Sequence, residues 1–488
     1  MAEFSLKPLQ RALLLALGGA CLSTPAHAVH VNPRGLGQAL IYPYYTVRSD
    51  NGNAYDTYLS IANTTPATKA LKVRFREGKN GRSVLDFNVY LARNDMWTGA
   101  IVPEGEGARL ISTDKSCTTP SIPAAGFPFV NISYTGFSTD NETGSLDRTS
   151  EGYFEVIEMG ELTGTITTGI KHVRGVPPNC GVLTDAAVAE AIVPGTGGLS
   201  GTGTLINVLN GVDYSYNAVA LDDFSRVALW SPPGLANLTN LASVNPKTSN
   251  ILSSAIPGQA VITSNWTSPG ANPADPVSAV LMHNQIINEF VLDPVTQSGT
   301  DWVVTMPTKH FYVGLDSLIA GARQNTAAQR PFEKNFGRNG ACDRAFSEGN
   351  DREGTFVTYN NFNGSWSYIP IFCWETNVLT FNQTKLLGSQ NSIVSATPIS
   401  DSGALTSFPN GWWKIDFTLV PGFPVTTNPS HSMISTEGIT YKGLPVVGFM
   451  VQDFVNGTLP RAGGGSVLSN YGGLFEHKYT EDIKITGP

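Results

Sequence analysis

Two neighbouring segments alternate apolar and polar residues with a period of two, and that period restricts this part of the chain to half-buried β-strands. In the first, Leu71, Val73 and Phe75 alternate with Lys72, Arg74 and Arg76; in the second, Leu85, Phe87, Val89 and Leu91 alternate with Asp86, Asn88 and Tyr90. Successive strand side chains point to opposite faces, so each segment reads as one apolar inward face and one wet outward face. Gly78-Lys79-Asn80-Gly81-Arg82 lies between them and supplies turn residues, which makes the pair a hairpin with a loop of several residues.

The same theme recurs along the chain. Strands are expected at 153–159, 163–171, 205–209, 214–220, 302–306, 310–313, 356–359, 378–381, 413–419 and 446–455, with a flexible loop at 195–203. Helices are expected at 183–192, which is Ala-rich with Thr184 or Asp185 as its cap, and at 277–292, where Val280, Ile287 and Val291 recur near helical spacing. The expected fold class is all-β: two packed β-sandwich-like units with short helical insertions, at residues 29–235 and 236–488, the boundary falling in the Pro/Asn/Ser-rich passage 231–250. No fixed-period repeat is present, which disfavours a propeller or solenoid.

Charged residues make up only 14% of the chain and the net charge is −8 without basic clusters, so nothing is available to neutralise phosphates and nucleic acid is excluded as a partner. Residues 1–28 read as a signal peptide: Lys7 and Arg11, an apolar run at 12–20, then Ala26-His27-Ala28 with small residues where a signal peptidase wants them. That run is too short to span a bilayer, and no later segment is long and apolar enough to do so. Cys21 would leave with the leader. Cys117, Cys180, Cys342 and Cys373 then remain in an oxidising compartment, and order along the chain favours the disulfides Cys117–Cys180 and Cys342–Cys373. No two of them have the short spacing of zinc ligands. An outer-membrane barrel is opposed by irregular strand spacing, by prolines and by a C-terminus of Lys484-Ile485-Thr486-Gly487-Pro488 rather than an aromatic strand.

Four segments, taken together, carry a resemblance: Ile41-Tyr42-Pro43-Tyr44-Tyr45, Val73-Arg74-Phe75-Arg76-Glu77-Gly78, Glu151-Gly152-Tyr153-Phe154-Glu155-Val156-Ile157-Glu158-Met159-Gly160 and Pro307-Thr308-Lys309-His310-Phe311-Tyr312. Over most of its mature length the chain resembles a family of exported, uncharacterised β-rich proteins of Gram-negative bacteria. The resemblance implies a compartment beyond the inner membrane and brings no activity with it.

Catalytic signatures are missing. Gly198-Leu199-Ser200-Gly201-Thr202 misplaces the second glycine of a lipase elbow, and no metalloprotease, phosphate-loop or dinucleotide motif occurs. The histidines His30, His172, His283, His310, His431 and His477 are widely separated. Glu155 and Glu158 point to opposite faces of one strand, one as a solvated edge charge and the other buried or paired, so they make no acid/base pair. Asp222-Asp223 reads as a turn. Calcium is the one cofactor considered, at Asp140, Glu142 and Asp147 or at the loop holding Asp50, Asn51, Asn53 and Asp56. Aromatic residues are the remaining signal: Trp412, Trp366 and Tyr368 are the candidate glycan-binding rings, and alternation turns Trp412 away from a core-facing Trp413.

These observations make the chain an exported, non-catalytic cell-surface or extracellular structural or adhesive protein, with self-association or a surface glycan as partner. The segment 37–47 could add a strand to a neighbour or pair within its own sheet. The alternative is a periplasmic or secreted glycan-binding protein, or a glycan hydrolase with residues scattered among loops.

Overall fold

The computed structural model describes residues 27–50, 53–140, 142–234, 239–251, 261–313, 330–337, 339–358, 371–381, 386–387, 392–396, 409–420, 425–455 and 457–485. Strand accounts for 48% and helix for 10%, so the chain is all-β with short helical pieces.

The alternating segments form the expected hairpin, Thr68–Glu77 against Ser83–Leu91. It belongs to an antiparallel sheet of eight strands. Their order is His30–Val31, Val219–Asp222, Ala39–Thr46, Glu151–Leu162, Thr68–Glu77, Ser83–Leu91 and Cys117–Thr119, with Ile192–Val193 added at the end of Glu151–Leu162. A second sheet of six strands runs Phe127–Pro128, Gly107–Ile111, Met96–Glu104, Asp56–Asn63, Leu199–Asn207, Val212–Asn217. Leu71, Val73, Phe75 and Phe154 of the first sheet meet Leu59, Ile61, Trp97 and Leu205 of the second in one core.

Later residues build another pair of sheets. One has the order Phe356–Thr358, Phe346–Asp351, Asn410–Asp416, Gln285–Val291, Lys478–Thr480; the other has Thr376–Thr380, Gly299–Thr305, Val447–Phe454, Tyr471–Glu476. Phe290, Trp302, Trp413, Ile415 and Met450 fill the space between them. The four-stranded sheet is apolar on both faces, because Val303, Val378, Phe449 and Val451 join the first core, where Phe449 stacks on Tyr216 at 5.1 Å. Gly299–Thr305 is accordingly buried at every position. Polar contacts close the same joint: Thr305 Oγ1 donates to Pro43 O (2.7 Å), and the backbone N–H groups of Glu375 and Thr376 donate to the carbonyls of Lys79 and Gly78.

Several expectations change. The Lys/Arg face of Thr68–Glu77 is not wet: Lys72, Arg74 and Arg76 are buried beside Asp86 and Glu155. The passage around Ser231 to Gly234 covers that face, its carbonyls accepting from Lys72 and Asn88. Glu155 and Glu158 are both buried, on Arg76 and Lys69 respectively, so neither is a solvated charge. Residues 163–171 form not a strand but the short helix Ile166–Ile170, after a turn at Gly164 (φ +74°). Residues 277–292 divide into the helix Asp275–Val280 and the strand Gln285–Val291, in which Ile286, Asn288 and Phe290 are buried with period two. Residues 310–313 fall in a tight turn, Lys309–Phe311, because polar side chains on it reach buried partners on both sides. The flexible loop ends at Leu199, where Leu199–Asn207 enters the six-stranded sheet. Ala39–Thr46 pairs within its own sheet, along one edge with Glu151–Leu162 and at Ala39–Ile41 on the other with Val219–Asp222. The helix Asp185–Ala191 forms as expected, with the Thr184 hydroxyl accepting from Ala187 N.

Candidate functional site

A cleft of about 700 Å³ opens where the six-stranded sheet faces the C-terminal half. Its first wall follows from strand alternation. Leu59 and Ile61 point into the core, so Ser60 and Ala62 point out, joined by Ser200 and Thr202 from the neighbouring strand. Ser60 and Thr202 share a hydroxyl hydrogen bond of 2.9 Å. Gly201 is required between them: the Tyr42 hydroxyl, donating to Ser60 O at 2.6 Å, occupies the space where a Cβ would stand.

The second wall carries His283, His477, Tyr479 and Glu476. Tyr479 is 53% exposed and its ring stacks on His283 at 3.8 Å. His477 is held at both nitrogens: Nε2 lies 2.9 Å from Val303 O, so it carries the proton, and Nδ1 accepts from Asn288 Nδ2 at 3.0 Å. Gly448 makes this possible, since a Cβ there would meet Val303 O at 1.9 Å. Burial pushes the His283 imidazole down to about 3, with the neighbouring His477 adding to the shift, and burial takes His477 down to about 4. Both rings are therefore neutral near pH 7. Among the described residues Arg34 and Glu476 are the ionic groups that line the cleft, one of each sign, and the rest of that lining is hydroxyl, amide, neutral imidazole and apolar. Buried Tyr216 and Phe449 are among the apolar part. Such a lining can bind a neutral ligand with polar edges and apolar faces.

The expected site residues lie elsewhere. Trp412 is 39% exposed on the outer face of the five-stranded sheet, opposite Glu289 on one neighbour and Asn350 on the other, while Trp413 is fully buried. Trp366 and Tyr368 fall outside the described residues. Each proposed calcium carboxylate sits on its own cation: Asp140 on Arg148 (2.8 Å), Glu142 on Lys79 (2.6 Å) and Asp147 on Arg48. In the second loop, residues 51–52 lie outside the described residues. Among the described residues no three His, Cys, Asp or Glu side chains are grouped to hold a metal ion. Asp223 lies 2.9 Å from His27. The cysteines pair as chain order favoured, Cys117 with Cys180 and Cys342 with Cys373.

The cleft was not legible as a site. His283, His477 and Ser200 were noted singly in the sequence, but nothing local announces that residues near 60, 200, 283 and 479 share one space. No family model, curated protein or solved structure matches this chain. Among the described residues, no helix is long and apolar enough to cross a membrane.

Proposed function

We propose that the chain is an exported, non-catalytic binding protein of the cell surface or extracellular space that holds a neutral glycan in this cleft. The observation that carries the reading is the half-exposed Tyr479 ring, braced on His283, facing a row of outward hydroxyls in a space with balanced charge. Sugars offer apolar faces for a ring and hydroxyl edges for Ser, Thr, Asn and carboxylate groups. Two disulfides suit an oxidising compartment, and the signal-like leader and the resemblance to exported Gram-negative proteins support the same address.

Titration of neutral oligosaccharides by calorimetry tests the reading. Tyr479→Ala is expected to weaken binding about tenfold, equivalent to ~1.4 kcal/mol, a normal loss for an aromatic contact. Trp412 supplies a second reading, because its outward ring stands between a carboxylate and an amide. Loss of binding with Trp412→Ala and none with Tyr479→Ala would move the site to that face. If neither change affects binding, no glycan site lies on either ring.

A further inference from the structure

We propose that one end of the molecule, where three loop tips carry Val208, Leu209, Val295, Leu459, Val467 and Tyr471, inserts into the surface layer of a zwitterionic lipid bilayer. The argument begins with where the strands stop. Leu199–Asn207 and Val212–Asn217 are joined by a tight turn that holds Val208 and Leu209. Gln285–Val291 and Gly299–Thr305 are joined by a second loop, which holds Val295. Val447–Phe454 pairs with Tyr471–Glu476 as far as Phe454 opposite Tyr471, and beyond that point residues 457–470 turn back as a small hairpin, Thr458–Pro460 against Ser466–Leu468. Gly299 is in register with Asp453, so the second and third loops leave the same end of the four-stranded sheet, and Val455 N donates to Thr296 O at 2.8 Å. Asn470 Nδ2 donates to Asn210 O at 2.9 Å and ties the first turn to the third. All three tips therefore project from one end.

Burial is inverted on them. Val295, Val208 and Leu209 are 87%, 74% and 67% exposed, more than half of Tyr471 is exposed, and Leu459 and Val467, opposite each other in the hairpin, are about half-exposed. Exposed apolar side chains gathered in one place mark an interaction surface. Its shape selects the partner: three separate tips are points rather than a plate, so a folded protein would need a matching pit for each, whereas fluid lipid fills in around them. Charge selects the same partner. Across residues 208–211, 294–298 and 457–471 the one charged side chain is Arg461, and the nearest acids, Asp213, Asp293 and Asp453, stand one to two residues behind the tips along their strands and loops. Asp293 and Asp453 are fixed there by the backbone N–H groups of Val295 and Gly299. A zwitterionic headgroup has its phosphate next to the acyl chains and its ammonium group outermost. Arg461 on a tip meets the phosphate level and the three acids meet the ammonium level. Tyr471, with an apolar ring and a polar end, suits the boundary between them. The apolar area is too small to span a bilayer, so attachment is shallow and reversible.

The glycan reading does not enter this argument. Flotation of the full oxidised protein with vesicles of phosphatidylcholine and phosphatidylethanolamine provides the test. The protein should float with the vesicles, and high salt, which screens charge, should not release it. Replacing two tip residues together, Leu209→Ser with Leu459→Ser, should lower the partition at least tenfold. Val173→Ser with Val176→Ser, a comparably exposed pair on a turn elsewhere, should leave it unchanged. All four positions are exposed, so both variants keep the fold. Tyr471→Trp should add fluorescence that brominated acyl chains quench, beyond any quenching of the eight native tryptophans in the wild type. Absence of flotation, or equal loss from the two double variants, would overturn the assignment. A dimer in light scattering that Leu209→Ser with Leu459→Ser dissociates, without flotation of the wild type, would give these tips to a second copy of the chain instead.

Discussion

Glu375 offers the sharpest test of how the two halves are joined. Its carboxylate is buried and receives Tyr153 Oη at 2.7 Å on one oxygen, with the backbone N–H and Nδ1 of His310 at 2.5 and 2.6 Å on the other. Tyr153 belongs to the eight-stranded sheet and His310 to the C-terminal half, so the group spans the joint. Burial pushes Glu375 up to about 8, against about 4.3 in an unfolded chain. A raised carboxyl pKa means that the folded state binds the extra proton. The resulting stability is fully present below the unfolded pKa and falls as pH rises, until it is gone above the folded pKa. Nearly four pKa units at ~1.4 kcal/mol each give about 5 kcal/mol lost between pH 4 and pH 9. Glu375→Gln removes the titration while keeping the shape. Its carbonyl can accept from His310 N, and its amide can donate to Tyr153 Oη, which has Pro307 O at 3.2 Å as its own acceptor. Urea unfolding of both proteins at pH 5, 7 and 9 measures the effect. Asp275, held up at about 6, adds a slope of the same sign to both, so the difference between the two proteins isolates Glu375. The variant should gain on the wild type by several kcal/mol from pH 5 to pH 9. Parallel profiles would refute the buried, proton-binding Glu375.

Further expectations concern the same scaffold. Gly81 has φ +64° and its Cβ would stand 1.8 Å from Glu375 Oε2, so Gly81→Ala should cost about 3 kcal/mol in urea and show a coupling to Glu375→Gln in a double-mutant cycle. Arg148→Met should cost about 3–5 kcal/mol, because it leaves Glu77 and Asp140 buried without their guanidinium; a calorimetric midpoint close to wild type would show that pair to be dispensable. Replacing Cys342 and Cys373 by serine opens a loop closed across 31 residues and should cost about 3–4 kcal/mol, read as a fall in the thermal midpoint that full reduction of the wild type, which opens Cys117–Cys180 as well, exceeds.

Fold class, the first hairpin and the capped helix Asp185–Ala191 were legible because each depends on residues near one another in the chain. Residues 277–292 were not, since Val280, Ile287 and Val291 satisfy a helical spacing, while the buried set Ile286, Asn288 and Phe290 is fixed only by the strand Asn410–Asp416 that arrives much later. The turn Lys309–Phe311 was misread for a related reason: its conformation is set by buried partners at Ser278, Asp343 and Glu375, which no local pattern displays. The cleft shares that origin, since its walls come from distant parts of the chain.

The cationic stripe of Thr68–Glu77 shows what alternation leaves open. A period of two establishes that Lys72, Arg74 and Arg76 share a face; it does not establish that water lies beyond it. Three buried cations in a row are tolerable only if acidic groups stand at the matching positions of the flanking strands. Asp86 does so from the hairpin partner, in register with Arg74, and that pairing could be inferred from the short loop. Glu155 does so from the other side, also opposite Arg74 and bonded to Arg76, and its strand enters some 70 residues later. With acids at the positions facing the cations, a stripe that reads as solvated becomes the inner layer of a molecule whose later segments close over it. An alternating strand rich in arginine is therefore a statement about its neighbours' charges as much as about solvent. Here the test within the sequence is the 151–162 segment, where acidic residues recur among apolar ones at a density that only buried pairing with cations makes stable.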